Sequence, residues 1–274
     1  MASETQYDSA YVQSLITSPD KQVRYLLARN MDTFTPTREH LDIGLRDQYW
    51  VVRMEYAKRT DFVATCDDIE FGLCDEEDGV RIAWAQRMDF SPSDAQIHRG
   101  LSDAYADVRV AWAERMDWTP TPEQAENGLA DSVYRVRKAW VARTDFIPTH
   151  EQVGRGLRER DLLIRTLWSM RTDFIPTPSQ IEMGLADENS GVRLLWYTRT
   201  DWTPTSAQVE AGLNDGSPDV REALALRMDW EATHEQIERG LNDQSENVRD
   251  AWMRRLKMEQ EGLLDNKMDL GVSL

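Results

Sequence analysis

The chain has 274 residues, 30% of them charged, and a formal net charge of -17. Such a charge disfavours nucleic acid and anionic membrane surfaces, which demand clustered Lys and Arg. No apolar run approaches the roughly 20 residues that span a bilayer, and Met1-Ala2-Ser3-Glu4-Thr5 lacks the basic region and apolar stretch of a signal peptide, so a cytoplasmic protein is expected.

In chain order, residues 1–14 read as an N-terminal cap. The pair Val-Arg, once Ile-Arg, then recurs and ends at Arg24, Arg53, Arg81, Arg109, Arg137, Arg165, Arg193, Arg221 and Arg249; after one 29-residue step every interval is 28 residues. A fixed period of this length is the mark of stacked repeats that share one continuous core. It predicts nine two-helix units over 15–256 in a single domain, closed by a capping helix and tail over 257–274.

The first units are basic and aromatic on the exposed side of their second helices, with Lys21, Tyr25 and Arg29, then Tyr49, Trp50 and Met54. Trp50 is the only tryptophan outside the repeat slots. The helical phase set by Val52 and Tyr56 points it away from the core and near Met54, the composition of an interface anchor. Cys66 and Cys74 follow, eight residues apart on one predicted helix. That is on the order of 12 Å by helical rise, too far to bridge, so both are expected as reduced thiols.

The unit over 119–145 shows the pattern in full. Thr121-Pro122-Glu123-Gln124 is a helix start: Thr121 caps, Pro122 takes the first helical position, and Gln124 closes a capping box. Ala125 and Leu129 form an apolar stripe, and Gly128 recurs in all eight full copies; glycine costs helix stability, so its repetition points to the close approach of a neighbouring helix. A second helix follows from after Asp131 to about Arg143, with Val136, Ala139 and Trp140 on one side at helical spacing. Asp145-Phe146-Ile147-Pro148 ends it. The tryptophans in these slots are core, not a cofactor box. The exposed side of this second helix carries Tyr134, Arg135 and Lys138; the next units become apolar there at Leu162, Leu163, Met170 and Leu194, and the last units acidic.

Seven units carry an Asp six residues before the Arg, as Asp47/Arg53, Asp75/Arg81, Asp103/Arg109, Asp131/Arg137, Asp187/Arg193, Asp215/Arg221 and Asp243/Arg249. That spacing in a two-helix unit resembles the HEAT repeat, whose Asp and Arg form a hydrogen-bonded ladder between successive units. The short first helix, the Leu-x-Asp step and the Val-Arg-x-x-x-Ala run also resemble the leucine-rich repeat variant. The resemblance covers residues 15–256 and implies an all-α fold, an α-solenoid of nine stacked pairs. It implies no single activity, because HEAT-like stacks serve as adaptors, inhibitors, lyases and DNA glycosylases. The chain departs from both families in its 28-residue unit and near-identical Asp-Trp/Phe-x-Pro-Thr linker, a likeness between copies similar to that of bacterial and phage repeat proteins. If a phage encodes it, the host cytoplasm is its place. Glu159 stands where the sixth unit should have its ladder Asp, and a weaker rung is expected there.

Residues that recur in every unit maintain a stack, whereas a catalytic site needs one convergent constellation. His40, His98, His150 and His234 lie on first helices, none with a His or Cys at i+3 or i+4, so no zinc site is expected. Two cysteines fall short of the four that an iron–sulfur cluster takes. A glycosylase needs a basic groove, but the exposed ribbon of the second helices carries seven acids against six bases. The sequence therefore points to a non-enzymatic scaffold without cofactor or metal, monomeric, with no direct nucleic acid or membrane binding. It would grip a protein partner through the variable ribbon: Tyr49, Trp50, Met54, Tyr134, Arg135, Lys138, Leu162, Leu163, Met170 and Leu194. The alternative is an acidic DNA-mimic inhibitor of a nucleic-acid-binding or defence enzyme. It would act through the first helices, which carry thirteen acids to four bases between cap and stripe Leu.

Overall fold

A computed structural model describes residues 9–30 and 34–269, the side chains of 262–269 excepted. Those residues form helices and no strand, in two compact units that divide between Phe146 and Ile147. The first unit pairs α1 (Ser9–Ile16) with α2 (Lys21–Arg29), α3 (Arg38–Gly44) with α4 (Trp50–Lys58), and α5 (Cys66–Leu73) with α6 (Asp78–Ala85). It continues with α7 (Asp94–Leu101) on α8 (Ala106–Ala113) and α9 (Pro122–Leu129) on α10 (Tyr134–Ala142). The second unit pairs α11 (His150–Gly156) with α12 (Leu162–Met170) and α13 (Pro178–Leu185) with α14 (Ser190–Thr198). Its last pairs are α15 (Ser206–Leu213) with α16 (Pro218–Leu226), and α17 (His234–Leu241) with α18 (Glu246–Asp269). Within each unit every second helix packs on the next second helix as well as on its own partner. The fold class is thus the all-α solenoid that the ladder spacing implies.

Both ends differ from the sequence reading. The boundary at residue 15 falls inside α1, whose Val12 and Ile16 are buried as the apolar stripe of the first pair. No separate capping helix starts at residue 257, because α18 runs unbroken from Glu246 to Asp269. The Asp-aromatic pair that follows each second helix from α4 to α16 is absent there, and no Gly or Pro occurs between 246 and 261.

The first helices are seven or eight residues long, too short to persist alone, so their ends and their packing define them. From α3 onward each opens with a capping box, on Thr37, Thr65, Ser93, Thr121, Thr149, Thr177, Thr205 and Thr233. Each such cap contributes about 1 kcal/mol. Against each first helix lies the large side chain of the second: Trp84, Trp112, Trp140, Trp168, Trp196 and Trp252 are at most 2% exposed. The repeated glycine is explained here, since a Cβ on Gly128 would fall inside the indole of Trp140, and one on Gly44 inside the Tyr56 ring.

Candidate functional site

The repeated charges build two arrays. In the first, Arg53 Nε and Nη2 donate to the Asp75 carboxylate at 2.7 and 2.8 Å, while Nη1 donates to the Asp47 carbonyl at 2.7 Å. Arg53 thus bridges the backbone of its own helix pair, six residues before it, and the Asp side chain of the next. The same rung occurs at Arg24–Asp47, Arg81–Asp103 and Arg109–Asp131, and in the second unit at Arg165–Asp187, Arg193–Asp215 and Arg221–Asp243. The carboxylate also accepts the backbone N–H two residues on, as Asp131 does from Val133 at 2.8 Å, which fixes the start of the second helix. Burial pushes the Asp131 carboxyl up, but its bonds to Arg109 and Val133 outweigh this and hold it below the ordinary range. The Glu159 carbonyl accepts from Arg165 Nη1 at 2.9 Å, as the Asp carbonyls do in the other pairs.

The second array was not singled out from the sequence. One or two residues after the ends of α4, α6, α8, α10, α14 and α16 sit buried arginines, Arg59, Arg87, Arg115, Arg143, Arg199 and Arg227. Arg115 Nη1 donates to the carbonyls of Ala85 and Arg87 at 2.7 and 2.6 Å, and Nη2 to that of Phe90 at 3.1 Å. Its Nε and Nη2 also hold Asp117, and its plane lies over the Phe90 ring at 4.6 Å. The Ala85 carbonyl is one that the C-terminus of α6 leaves without a partner, and those of Arg87 and Phe90 belong to the linker after it, so Arg115 caps the helix of the pair before it and fixes its exit. The signal was present as Arg-x-Asp-Trp/Phe, from Arg59-Thr60-Asp61-Phe62 to Arg227-Met228-Asp229-Trp230.

With those charges committed, the second-helix ribbon is what varies. Tyr49 is half-buried beneath Lys21, whose Nζ is 4.4 Å from the ring centroid, and its own ring lies 6.5 Å from that of Trp50. Trp50 is 37% exposed, yet its ring and Met54 Sδ lie 3.3 and 3.5 Å from where a Cβ on Gly79 would be. It therefore both covers the start of α6 and faces outward. Tyr134, Arg135 and Lys138 are exposed together on α10, and Arg135 pairs with Asp107 of α8 at 2.7 Å. Tyr105, in the same slot as Tyr49, was missed; it is exposed beside the Arg81 guanidinium.

In the second unit Leu162, Leu163 and Met170 are exposed on α12, while Leu194 is half-buried on α14. Leu226 and Met228 add to the exposed apolar surface there. Three grooves open between the ends of neighbouring second helices. One of about 460 Å³ between α8 and α10 is lined by Val110, Ala113, Glu114, Met116, Arg135, Lys138, Ala139, Ala142 and Arg143. The others, of about 480 and 570 Å³, lie between α4 and α6 and between α14 and α16. The ten residues singled out from the sequence thus fall into three patches, Tyr49/Trp50/Met54, Tyr134/Arg135/Lys138 and the leucine–methionine group, and of these the middle patch borders one of the three grooves, through Arg135 and Lys138.

The acidic first helices are partly structural. Glu70 accepts from Gln96 and Arg99 of the next pair, Glu182 from Gln208, and Glu210 from Gln236 and Arg239. These bonds hold the Glu70 and Glu210 carboxyls below the usual range. The Asp68 side chain is buried under Arg38. Cys66 and Cys74 are exposed thiols. No three His, Cys, Asp or Glu side chains converge on a metal-sized space, and no helix is long and apolar enough to cross a membrane, among the described residues.

No protein-family model matches the chain, and no curated protein is similar to it. Among solved structures it is similar to a leucine-rich repeat variant with a novel repetitive protein structural motif. The TM-score is 0.60 with 21% identity, over 88% of each chain. At that identity the likeness concerns the fold, and it agrees with the short first helix and ladder spacing.

Proposed function

We propose that the chain is a non-enzymatic scaffold that binds a protein partner through the ribbon of its second helices, as a cytoplasmic monomer with one repeat domain. The observation that carries this reading is the α8/α10 groove, where an alanine floor meets the exposed Arg135 and Lys138. Apolar surface rimmed by charge is the composition of an interaction site. The ion pairs and capping bonds of the two arginine arrays give the repeated charges a structural role and leave function to positions that differ between units. The DNA-mimic alternative draws less support, because Glu70, Glu182 and Glu210 are engaged by the following helix pair. A mimic needs its carboxylates free to meet a basic partner.

Affinity capture from the native host, with the wild type and two variants, tests the reading. Trp50→Ala and Leu163→Asp should each weaken partner retention, Trp50→Ala by about 2 kcal/mol if it is an anchor. Stability should fall by only about 1–2 kcal/mol, from the lost packing over Gly79. Retention unchanged by both, and abolished by reversing Glu123, Glu126 and Glu151 to Lys, would replace the scaffold with the acidic mimic.

A further inference from the structure

Two charged side chains face the α8/α10 groove without a salt partner. Lys138 on the α10 wall and Glu114 on the α8 wall form no ion pair within 4.0 Å among the described residues, whereas Arg135 is held by Asp107 at 2.7 Å. Between them the floor is Ala113, Ala139 and Ala142. Five residues after the ladder arginine, this groove has the small Ala142, where the corresponding slots of the preceding three pairs hold Lys58, Gln86 and Glu114. The other two grooves lack this arrangement: Lys58 is tied to Glu55 at 2.9 Å, and Arg227 is closed on Asp229 at 2.6 Å.

A groove of about 460 Å³ takes a few side chains rather than a folded surface. One free cation facing a carboxylate cannot hold a polyanion, whose binding needs several phosphates neutralised together. A wholly apolar occupant would desolvate Lys138 and Glu114 with nothing in return. A segment with charge of each sign satisfies both walls and covers the alanines at once. We propose that this groove binds a linear peptide segment of the partner in which one apolar side chain lies between an acidic and a basic residue. The acid pairs with Lys138, the base with Glu114, and the apolar side chain rests on Ala139 and Ala142. This rests on the scaffold reading and gives it a recognition chemistry.

The test is selection of a displayed random dodecapeptide library on the immobilised full chain, followed by titration of the enriched peptides as synthetic probes. Enriched sequences should share an apolar residue flanked by opposite charges. Their affinity should fall tenfold or more with Lys138→Glu and with Ala142→Leu, which fills the floor. The double exchange Glu114→Lys with Lys138→Glu should prefer peptides with the two charges swapped. Helical melts of the variants, all at exposed positions, report that they fold. The proposal is overturned if no motif is enriched, if the motif carries a single sign, or if Lys138→Glu leaves affinity unchanged. Peptides that ignore Lys138→Glu but are lost with Leu163→Asp would overturn the groove assignment while leaving the scaffold reading in place.

Discussion

Arg143 and Arg135 lie eight residues apart on one stretch of chain and do opposite things. The Arg143 guanidinium is 1% exposed and donates to the carbonyls of Ala113, Arg115 and Trp118 at 2.8, 2.6 and 2.9 Å. Arg135 makes one pair with Asp107 at the surface. Removing a buried, multiply bonded charge leaves helix-end carbonyls and a carboxylate without partners, a cost of about 3–5 kcal/mol. Arg143→Ala should therefore destabilise about as much as Trp140→Ala, which vacates a large core volume at about 3–5 kcal/mol. Arg135→Ala should stay within about 0.5 kcal/mol. Urea melts followed by circular dichroism decide it, and a small loss for Arg143→Ala would refute its capping role. The core slots of Trp140 and Gly128 were legible because helical spacing alone places them. Arg143 was not, because its partners lie in the preceding helix pair, 25 to 30 residues away.

The helices show the same division between what the chain says locally and what the stack adds. All eight capping boxes follow from a Thr or Ser three residues before a suitable acceptor, and the start of α9 was fixed to the residue. At α5 the acceptor is Asp68, and here a stack contact appears that no local rule contains. Arg38 of α3 donates to both Asp68 oxygens at 2.5 and 2.6 Å. That bond, ahead of the opposing effect of burial, holds the Asp68 carboxyl well below the usual carboxylate range. The Arg221 bond does the same for Asp243, and Asp131, Asp215 and Asp229 are also held low. A carboxylate depressed on folding contributes stability that is fully present above its unfolded value, about 4, and is lost as pH falls through the folded value. Stability should hold from neutral pH to about 5 and then decline steadily on acidification below about 4. Asp68→Asn should be less stable at neutral pH and show a shallower acid slope. A wild-type urea midpoint that stays level from pH 5 to 2 would contradict the coupling.

At the scale of the whole chain, sequence periodicity revealed the architecture because each unit repeats one solution to the same packing problem. The binding site was only partly legible for the same reason. A helical phase can mark Tyr134, Arg135 and Lys138 as exposed, but it cannot show that Ala142 and Ala113 line one groove, since those alanines belong to different helix pairs. The net charge of -17 then bears on how a partner arrives. If the ribbon binds through an apolar floor with one charge of each sign, the long-range field of the molecule affects encounter more than the final complex. Raising ionic strength from about 0.05 to 0.5 M should then change the association rate of an acidic or basic partner in opposite directions through screening of that field. The dissociation rate should change little, because close contacts over a partly buried floor are weakly screened. Reversing Glu123, Glu126 and Glu151 to Lys should likewise act mainly on association. Were the acidic first helices the binding surface, the same salt step would raise the dissociation rate steeply and the triple reversal would abolish binding. Surface-based kinetics on a captured partner separate the two outcomes, and a steep salt dependence of dissociation that ignores Lys138→Glu would remove the ribbon from consideration.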